Sequence, residues 1–374
     1  MTDKTDLNVK TEKGDHFYWL DLIRFVAAFA VMACHFRGAF FTEYSLLPEE
    51  QHNAGISAFY FITRLGFEAV LIFFVLSGFL VGGKAIMRIM QDSFRARDYA
   101  IDRFARIMLP LIASLLFYLP ICLYFGIPIK ISDWIGSLLS LQGILTSTPF
   151  ATLWSLSYEV WFYILMFSIA ILWTSKKSKN KLRIGYTIII ICLLVFIKLK
   201  VSYLWIWMLG ALIMTIDLNL SNRACKVTCW ISGIVSFVMI LLLQITSESR
   251  FVTQNYIEDT ALLRDLLIVL FGGCFAIFIK IIIGMVPKSK FMISINRLGT
   301  RLAAFSYTLY LTHAPVLRLL EHLGAPKSTS VNIVSVSLYI AWLVVGMLVA
   351  YLLYLAFEKH TPQLKQWLKH ILIR

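Results

Sequence analysis

The stretch "RFVAAFAVMACHF", from Arg24 to Phe36, belongs to an apolar run near the N-terminus and carries two ionisable residues. Such a run predicts a membrane-spanning helix, because about 20 apolar residues cross the hydrocarbon core. Arg24 and His35 are eleven positions apart, so they share one helix face and lie about 16 Å apart along the axis. Two interpretations are open. Either Arg24 extends to the inner interface and His35 marks the helix end, or both belong to a functional site.

The composition of the whole chain is that of a membrane protein. Of the 374 residues, 59% are hydrophobic and 15% are charged, whereas a soluble domain has about 25% charged residues. The mean hydropathy is +0.77, and this excess of apolar residues needs a lipid bilayer as solvent. The fold class that follows is an all-α, polytopic integral membrane protein. The first sixteen residues are polar and no cleavage site follows the first apolar run, so we expect that run to remain as an anchor.

Ten apolar runs of suitable length predict about ten transmembrane helices. The runs lie near residues 17–36, 59–83, 104–126, 150–173, 184–197, 202–216, 227–246, 264–284, 304–322 and 332–357. The fifth and sixth runs are short, and the "KLKV" between them leaves open either a broken pair of helices or one re-entrant unit. We expect a single membrane domain over residues 1–374, with cytoplasmic tails at 1–16 and 359–374.

The distribution of Lys and Arg predicts the orientation of these spans. With the N-terminus inside, 24 of the 35 basic residues lie in inner segments, 6 lie in outer loops and 5 lie within spans. Because cytoplasmic loops are enriched in Lys and Arg, this distribution favours an N-in, C-in protein of the cytoplasmic (inner or plasma) membrane. It also explains the net charge of +14 without a nucleic-acid partner. Basic stripes interleaved with stacking aromatics, which nucleic-acid binding would favour, are absent from the sequence.

The six cysteines do not indicate a metal site or a disulfide framework. Most of them lie inside apolar runs, where Cys behaves as a small hydrophobic residue. Cys225 and Cys229 are four positions apart, but no nearby His or second Cys pair completes a zinc set. We therefore expect no metal.

Two further motifs lie near the inner ends of predicted spans. In "IFFVLSGFLVGGK" the small residues Ser77, Gly78 and Gly82 recur at helical spacing, which favours close helix packing or, alternatively, a narrow cofactor channel. In the next inner segment, Arg103 and Arg106 share one face. Guanidinium groups match phosphate oxygens, so this pair suits a nucleotide-type ligand, although spacing alone favours positive-inside charge or lipid headgroup contact.

Polar residues also occur at membrane depth in the fourth and ninth spans. Glu159 lies deep in the fourth span, where Ser155 could hydrogen-bond it, and a buried acid needs such a partner. Glu159 belongs either to a functional site or to a satisfied polar core. In "SYTLYLTHAPVL", Ser306 and His313 are seven apart and share a face. Pro315 then predicts a break in that helix, and a polar, kinked stripe should line a cavity.

Together these motifs resemble the acyltransferase-3 family, membrane enzymes that move acyl groups from acyl-CoA onto sugar hydroxyls. The resemblance covers nearly the whole chain. It rests on the Arg–His pair of the first span and on five further segments. They are "FFVLSGFL" (73–80), "RFARIMLP" (103–110), "LWSLSYE" (153–159), "SYTLYLTHAPV" (306–316) and the closing "FEKHTP" (357–362).

The resemblance implies that His35 is the essential catalytic residue and that Arg24, Arg103 and Arg106 serve the acyl donor. Many family members have an acidic residue at the position of Leu71, and Glu68, one helical turn earlier, is the candidate to replace it. Some members carry a further soluble hydrolase-like domain, which we do not expect here.

The resemblance therefore implies acyl-CoA, with acetyl as the commonest acyl group in the family, as the donor in the O-acetylation of an envelope polysaccharide. Ser77 and the small residues beside it would contact the donor, and His35 would act as general base. Glu159 would fix the tautomer of His35. An acyl-histidine or acyl-serine intermediate is the covalent alternative to direct transfer.

The acceptor is predicted to be a glycan or lipid-linked sugar bound by four side chains: Trp154, Ser306, Tyr310 and His313. The lipid bilayer is the other expected partner. The alternative function is that of a secondary transporter or glycan exporter, which would also have ten spans and intramembrane ionisable residues. An inverted repeat between the two halves would favour transport, and the sequence shows no such symmetry.

Overall fold

The computed structural model describes residues 18–174, 178–246, 261–285 and 289–373, and the regular structure in these ranges is helical apart from two isolated β-bridges. The α-helices are α1 (Tyr18–Phe40), α2 (Ala54–Ile62), α3 (Gly66–Ser77), α4 (Lys84–Met90), α5 (Ala96–Phe125), α6 (Ile131–Leu138), α7 (Trp154–Thr174), α8 (Lys179–Lys198), α9 (Val201–Thr215), α10 (Asn222–Ile245), α11 (Ala261–Ile282), α12 (Lys290–Ala303), α13 (Ser306–His322), α14 (Ile333–Ala356) and α15 (Thr361–Ile373). A π-helix, Gly78–Gly83, joins α3 to α4.

The predicted spans coincide with helices of the structure. Among the described residues, eight helical segments are long and apolar enough to cross a membrane. They contain α1, α2 to α4, α5, α7, α8, α10, α11 and α14. The shorter apolar helix α9 and the 17-residue helix α13 occupy the two remaining predicted spans. The all-α polytopic fold class is confirmed, whereas the count of ten crossings and the N-in, C-in orientation stay predictions.

The fifth and sixth predicted spans are two separate helices. Helix α8 ends at Lys198, and α9 begins only three residues later at Val201. The two helices then pack in different places, because α8 lies on α7 whereas α9 lies on α3, on the π-helix and on α11. The two short runs are therefore two helices on different neighbours, and whether they cross separately or form one re-entrant unit stays a prediction.

The C-terminal segment is an ordered helix rather than a simple tail. Two ion pairs hold α15 on α5: Lys365 lies 3.0 Å from Asp102, and Lys369 lies 3.2 Å from Asp98. The predicted tail at 1–16 lies outside the described residues. The helix α15 thus covers the start of α5, close to the arginines that the sequence analysis singled out.

Helix α1 lies at the centre of the bundle and contacts α3, α12, α13 and α14. Its buried side chains belong to two apolar clusters, one shared with α3 and one shared with α13 and α14. In the second cluster, Met32 and Phe36 pack closely against the position of Gly346 on α14. This central position places the polar residues of α1 inside the protein.

Small residues bring the backbones of α9 and the π-helix into contact. A Cβ atom at Gly78 would lie 2.0 Å from the carbonyl oxygen of Trp207, and one at Gly210 would lie 2.4 Å from that of Val75. Such close approach is what small residues at helical spacing permit. The close-packing interpretation of the "SGFLVGG" segment is therefore correct. Gly78 does not line a channel, because the backbone of α9 fills that space.

The predicted break at Pro315 is wrong. Helix α13 continues through Pro315 to His322, and Pro110 and Pro120 likewise lie inside the continuous helix α5. Proline removes one backbone donor but is tolerated in membrane helices, where neighbouring helices satisfy the freed groups. The polar residues of α13 therefore remain on one uninterrupted helix.

Candidate functional site

One face of α1 lies against α13 and carries both Arg24 and His35. The Nε atom of Arg24 donates to Ser306 Oγ at 3.2 Å, and Nη2 donates to the Ala303 carbonyl oxygen at 3.0 Å. The Nη2 atom also lies 3.3 Å from a carboxylate oxygen of Asp21. Arg24 is thus held toward α13 inside the bundle, rather than extended along a surface.

His35 and His313 form a hydrogen-bonded pair between α1 and α13. The Nδ1 atom of His35 lies 2.8 Å from Nε2 of His313, and the two rings are nearly parallel with centroids 5.1 Å apart. His313 is fully buried and its Nδ1 lies 3.1 Å from the carbonyl oxygen of Leu309. The seven-residue spacing of Ser306 and His313 therefore brings each of them to one ionisable residue of α1.

This chain of hydrogen bonds defines the tautomers of the neutral pair. A carbonyl oxygen only accepts, so Nδ1 of His313 carries the hydrogen that bonds to Leu309. Its Nε2 then accepts, and Nδ1 of His35 donates to it. Nε2 of His35 therefore carries a lone pair and makes no hydrogen bond to His313. A general base needs such an unprotonated nitrogen to accept a proton.

A cavity of about 410 Å³ lies between α1, α3, α4, α5, α7 and α13. Seven of the ten predicted site residues line it, and His35, His313 and Trp154 do not. The seven are Arg24, Ser77, Arg103, Arg106, Glu159, Ser306 and Tyr310. The structure therefore brings the predicted donor residues together in one cavity, beside the histidine pair.

The same cavity is also lined by cations that the sequence analysis missed. Lys84 and Arg88 are exposed and come from α4, and Lys365 comes from α15. Lys84 and Arg88 are four residues apart, a spacing that puts both on one helix face. This spacing was visible in the sequence, but that both residues line the same cavity as Arg103 depends on the tertiary placement of α4 and α5.

Glu159 belongs to a network on the cavity wall, away from the histidine pair. The Tyr163 hydroxyl donates to Glu159, and it also lies 3.1 Å from Ser77 Oγ. The guanidinium of Arg103 lies over the Tyr163 ring, 5.7 Å from its centroid. The predicted role of Glu159 in fixing the tautomer of His35 is wrong, because His313 occupies that position.

The end of the cavity nearest the histidine pair is formed by Tyr310 and Ser155. Their hydroxyl groups lie 2.6 Å apart, so Ser155 bonds to Tyr310 instead of Glu159 as the sequence analysis expected. The Tyr310 ring contacts the His313 ring with centroids 5.9 Å apart and the Phe73 ring with centroids 5.4 Å apart. Tyr310 and Phe73 therefore form the end of the cavity that lies beside His313.

Trp154 lies outside this cavity in a group of aromatic rings. Its ring centroid is 5.7 Å from that of Tyr158, 5.9 Å from that of Tyr203 and 6.4 Å from that of Phe74. The role of Trp154 in binding the acceptor stays a prediction.

Glu358 is a buried carboxylate that the sequence analysis did not single out. Its Oε2 accepts from the backbone N–H and the hydroxyl of Thr308, at 3.2 and 2.6 Å, and its Oε1 lies 3.5 Å from Arg106 Nη1. Only 4% of Glu358 is exposed. The closing "FEKHTP" segment contains this glutamate. Its partners lie on α5 and α13, however, and the sequence of the segment could not identify them. Glu358 fixes Arg106 at the cavity wall.

Glu68 contacts a different part of the bundle. Its Oε2 accepts a hydrogen bond from Gln244 Nε2 at 2.8 Å, whereas Leu71 is fully buried among apolar side chains. Neither residue lines the cavity. That Glu68 replaces the family's acidic residue stays a prediction.

The described helices thus form a bundle of membrane-protein type that places a histidine pair beside a cation-rich cavity. The model of the acyltransferase-3 family, described as an acyltransferase domain, matches residues 17–355. The chain belongs to this family and is a membrane acyltransferase. A comparison with curated proteins and with solved structures gave no match.

Proposed function

We propose that the protein transfers an acyl group, acetyl in the first instance, from cytoplasmic acyl-CoA to a hydroxyl group of an envelope glycan. The observation that carries this proposal is the hydrogen-bonded chain from Leu309 through His313 to His35, which leaves Nε2 of His35 as an acceptor. Family membership supplies the reaction class. The donor, the acceptor and the base are the proposed parts.

The charge of the cavity supports acyl-CoA as the donor. Arg24, Arg103 and Arg106 line its wall together with Lys84 and Arg88, and guanidinium groups bind phosphate oxygens through paired hydrogen bonds. Because Lys84 and Arg88 are exposed, the phosphates would sit at that solvent-facing end of the cavity. The thioester arm would then pass Ser77 toward Tyr310 and the histidine pair.

In the proposed reaction, Nε2 of His35 takes the proton of the acceptor hydroxyl while its oxygen attacks the thioester carbonyl carbon. The new C–O bond forms and the C–S bond breaks. The leaving CoA thiolate then takes the proton from the His35 imidazolium, so the products are an O-acyl glycan and CoA thiol. His313 accepts from Nδ1 of His35 throughout and acts as a positioning residue.

The decisive experiment uses purified protein in detergent with acetyl-CoA and candidate cell-surface glycans. We expect release of free thiol that depends on both substrates, together with a glycan product heavier by one acetyl group. Absence of thiol release with every acceptor, combined with uptake of glycan into protein-containing vesicles, would support transport and overturn the proposal.

The replacement Arg103→Gln should raise the KM for acetyl-CoA about tenfold while changing kcat little. The reason is that a charge-assisted hydrogen bond to a phosphate is lost from the ground state and the transition state alike. Steady-state thiol release at varied acetyl-CoA measures both constants. Arg97 is exposed on the same helix and does not line the cavity, so Arg97→Gln is the matched control. An unchanged KM in the Arg103 variant would assign that residue to topology or lipid contact.

Replacing His313 tests its positioning role. We expect His313→Ala to lower kcat about tenfold to a hundredfold, by analogy with the loss of a partner that orients a metal-bound histidine. The His313→Gln variant should recover part of this loss, because its amide oxygen can accept from Nδ1 of His35. The measurement is the kcat of both variants beside their melting temperatures in detergent. Equal loss in both, at wild-type melting temperature, would contradict the orienting role.

A further inference from the structure

Two hydroxyl groups lie together at the end of the cation-rich cavity beside His313. The Oη atom of Tyr310 lies 2.6 Å from Oγ of Ser155, and both residues line the cavity. Only 6% of Tyr310 and 5% of Ser155 are exposed. We name these residues the Tyr310–Ser155 pair. It lies inside the protein, at the place that the thioester would approach in the proposed reaction.

The pair has one hydrogen more than its own hydrogen bond uses. Each hydroxyl carries one hydrogen, and one of the two lies between the oxygens, since 2.6 Å is the length of an O–H···O bond. For the other, the described residues offer one further acceptor, the Thr152 carbonyl oxygen, at 3.4 Å from Tyr310 Oη. Good O–H···O bonds are 2.5–3.0 Å long. Whichever hydroxyl donates to the other, one hydrogen therefore remains for an acceptor in the cavity.

The other polar groups at this end of the cavity are engaged elsewhere. Glu159, one turn after Ser155 on α7, accepts from the Tyr163 hydroxyl. His313 uses both ring nitrogens in the hydrogen-bonded chain described above. In the part of the chain that the structure describes, no hydrogen bond joins Glu159 or His313 to the hydroxyl of Tyr310 or Ser155. The remaining hydrogen of the pair is thus available to a bound molecule.

Both hydroxyls are held by helices rather than by loops. Ser155 lies in the first turn of α7, where the positive end of the helix dipole favours negative charge nearby. Tyr310 lies within α13, and its ring is held between those of Phe73 and His313. Donors that are fixed before the reaction stabilise a developing negative charge best, because they need no reorganisation.

We propose that the Tyr310–Ser155 pair donates its remaining hydrogen to the carbonyl oxygen of the acyl thioester, and stabilises the negative charge that forms there during transfer. This inference rests on the proposed acyl transfer and adds an oxyanion site to it. The sequence analysis predicted Tyr310 for the acceptor, whereas the hydroxyl pair in the cavity assigns it to the donor.

The pair takes part in the reaction without gaining or losing a proton. When the acceptor oxygen bonds to the carbonyl carbon, the electron pair of the C=O double bond moves onto the carbonyl oxygen. The hydrogen bond from the pair strengthens as this charge develops. The electron pair returns when the C–S bond breaks and CoA leaves, and the hydroxyl hydrogen stays on the pair throughout.

The first measurement is kinetic. The double variant Ser155→Ala/Tyr310→Phe should lower kcat by about 10²- to 10³-fold, the usual loss when an oxyanion donor is removed. The KM for acetyl-CoA should stay within about twofold of wild type, since the lost interaction belongs to the transition state. Tyr44 and Ser57 form a similar hydroxyl pair at 2.7 Å away from the cavity. The matched control Ser57→Ala/Tyr44→Phe should keep the wild-type kcat.

The second measurement observes the carbonyl group itself. Acetyl-CoA with a ¹³C-labelled carbonyl is bound to the His35→Ala protein without acceptor, and infrared difference spectra record its C=O stretch. A hydrogen bond to the oxygen weakens the double bond and lowers this frequency. Adding Ser155→Ala and Tyr310→Phe to that protein should therefore move the band to higher frequency. A purely structural role of the pair would leave the band of bound acetyl-CoA in place.

Tyr310→Phe alone keeps the ring and its contacts, and provides both measurements if the double variant does not fold. We expect about a tenfold loss of kcat, as for one neutral hydrogen bond, and a band shift in the same direction. An unchanged kcat or an unchanged band in the folded variants would overturn the oxyanion site while leaving acyl transfer intact. Absence of acetyl-CoA binding and of thiol release in wild type would overturn the acyl-CoA reaction itself, and the oxyanion site with it.

Discussion

The His35→Ala enzyme is expected to lose acyl transfer by about 10²- to 10⁴-fold in kcat, the usual contribution of a positioned general base. Nε2 of His35 is the ring nitrogen that makes no hydrogen bond to His313 and can therefore accept the proton. Acceptor-dependent thiol release from acetyl-CoA, at saturating concentrations of both substrates, measures the loss.

Binding of the donor should persist in this variant. His35 does not line the cavity that contains the arginines, so the affinity for acetyl-CoA, measured by calorimetry, is expected to stay within about twofold of wild type, under 0.5 kcal/mol. His322, exposed near the end of α13, gives the matched control His322→Ala. Turnover close to wild type in the His35 variant would remove His35 from the role of base.

The Gly78→Ala variant should be among the most destabilised single substitutions in the bundle. Its added Cβ would meet the Trp207 carbonyl oxygen at 2.0 Å and the Trp207 carbonyl carbon at 2.8 Å. Both atoms belong to the backbone of α9, so relief requires α3 and α9 to move apart. Overpacking of this kind costs about 1–3 kcal/mol or more, and we expect a lower melting temperature in detergent and a lower yield of monodisperse protein.

Gly38 in α1 is the matched control, since a Cβ at that position would meet nothing within 4 Å. In a helix interior, alanine is favoured over glycine by about 1 kcal/mol, so Gly38→Ala should hold or raise the melting temperature. If Gly78→Ala melted at the same temperature as Gly38→Ala, the contact between the π-helix and α9 would not matter for stability.

Much of this fold follows from the apolar runs alone, because a membrane helix is set by about 20 consecutive apolar residues. The first run, predicted at 17–36, is α1 over Tyr18–Phe40, and the last, predicted at 332–357, is α14 over Ile333–Ala356. Helices without a long apolar run were missed. Helix α12 has Lys290, Arg297 and Arg301 among its residues, and α15 was predicted only as a tail.

The site was predictable where two polar residues of the same long helix lie at helical spacing. Arg24 with His35, and Ser306 with His313, share faces whatever the exact packing, and the structure places these faces together. The partner of Glu159 was not predictable, because it depends on which way the carboxylate turns within α7. Tyr163, one turn later on the same helix, donates to it.

Helix α1 carries Arg24 and His35 on one rigid element, and this has a consequence for the length of the donor. Their separation of about 16 Å along the axis is fixed by backbone hydrogen bonds rather than by mobile loops. On the proposed mechanism, a thioester whose anionic end is closer to its sulfur than this cannot engage both residues together. Helix α1 thus sets a minimum length for the donor, and donors with truncated arms should bind near Arg24 or near His35 without reacting.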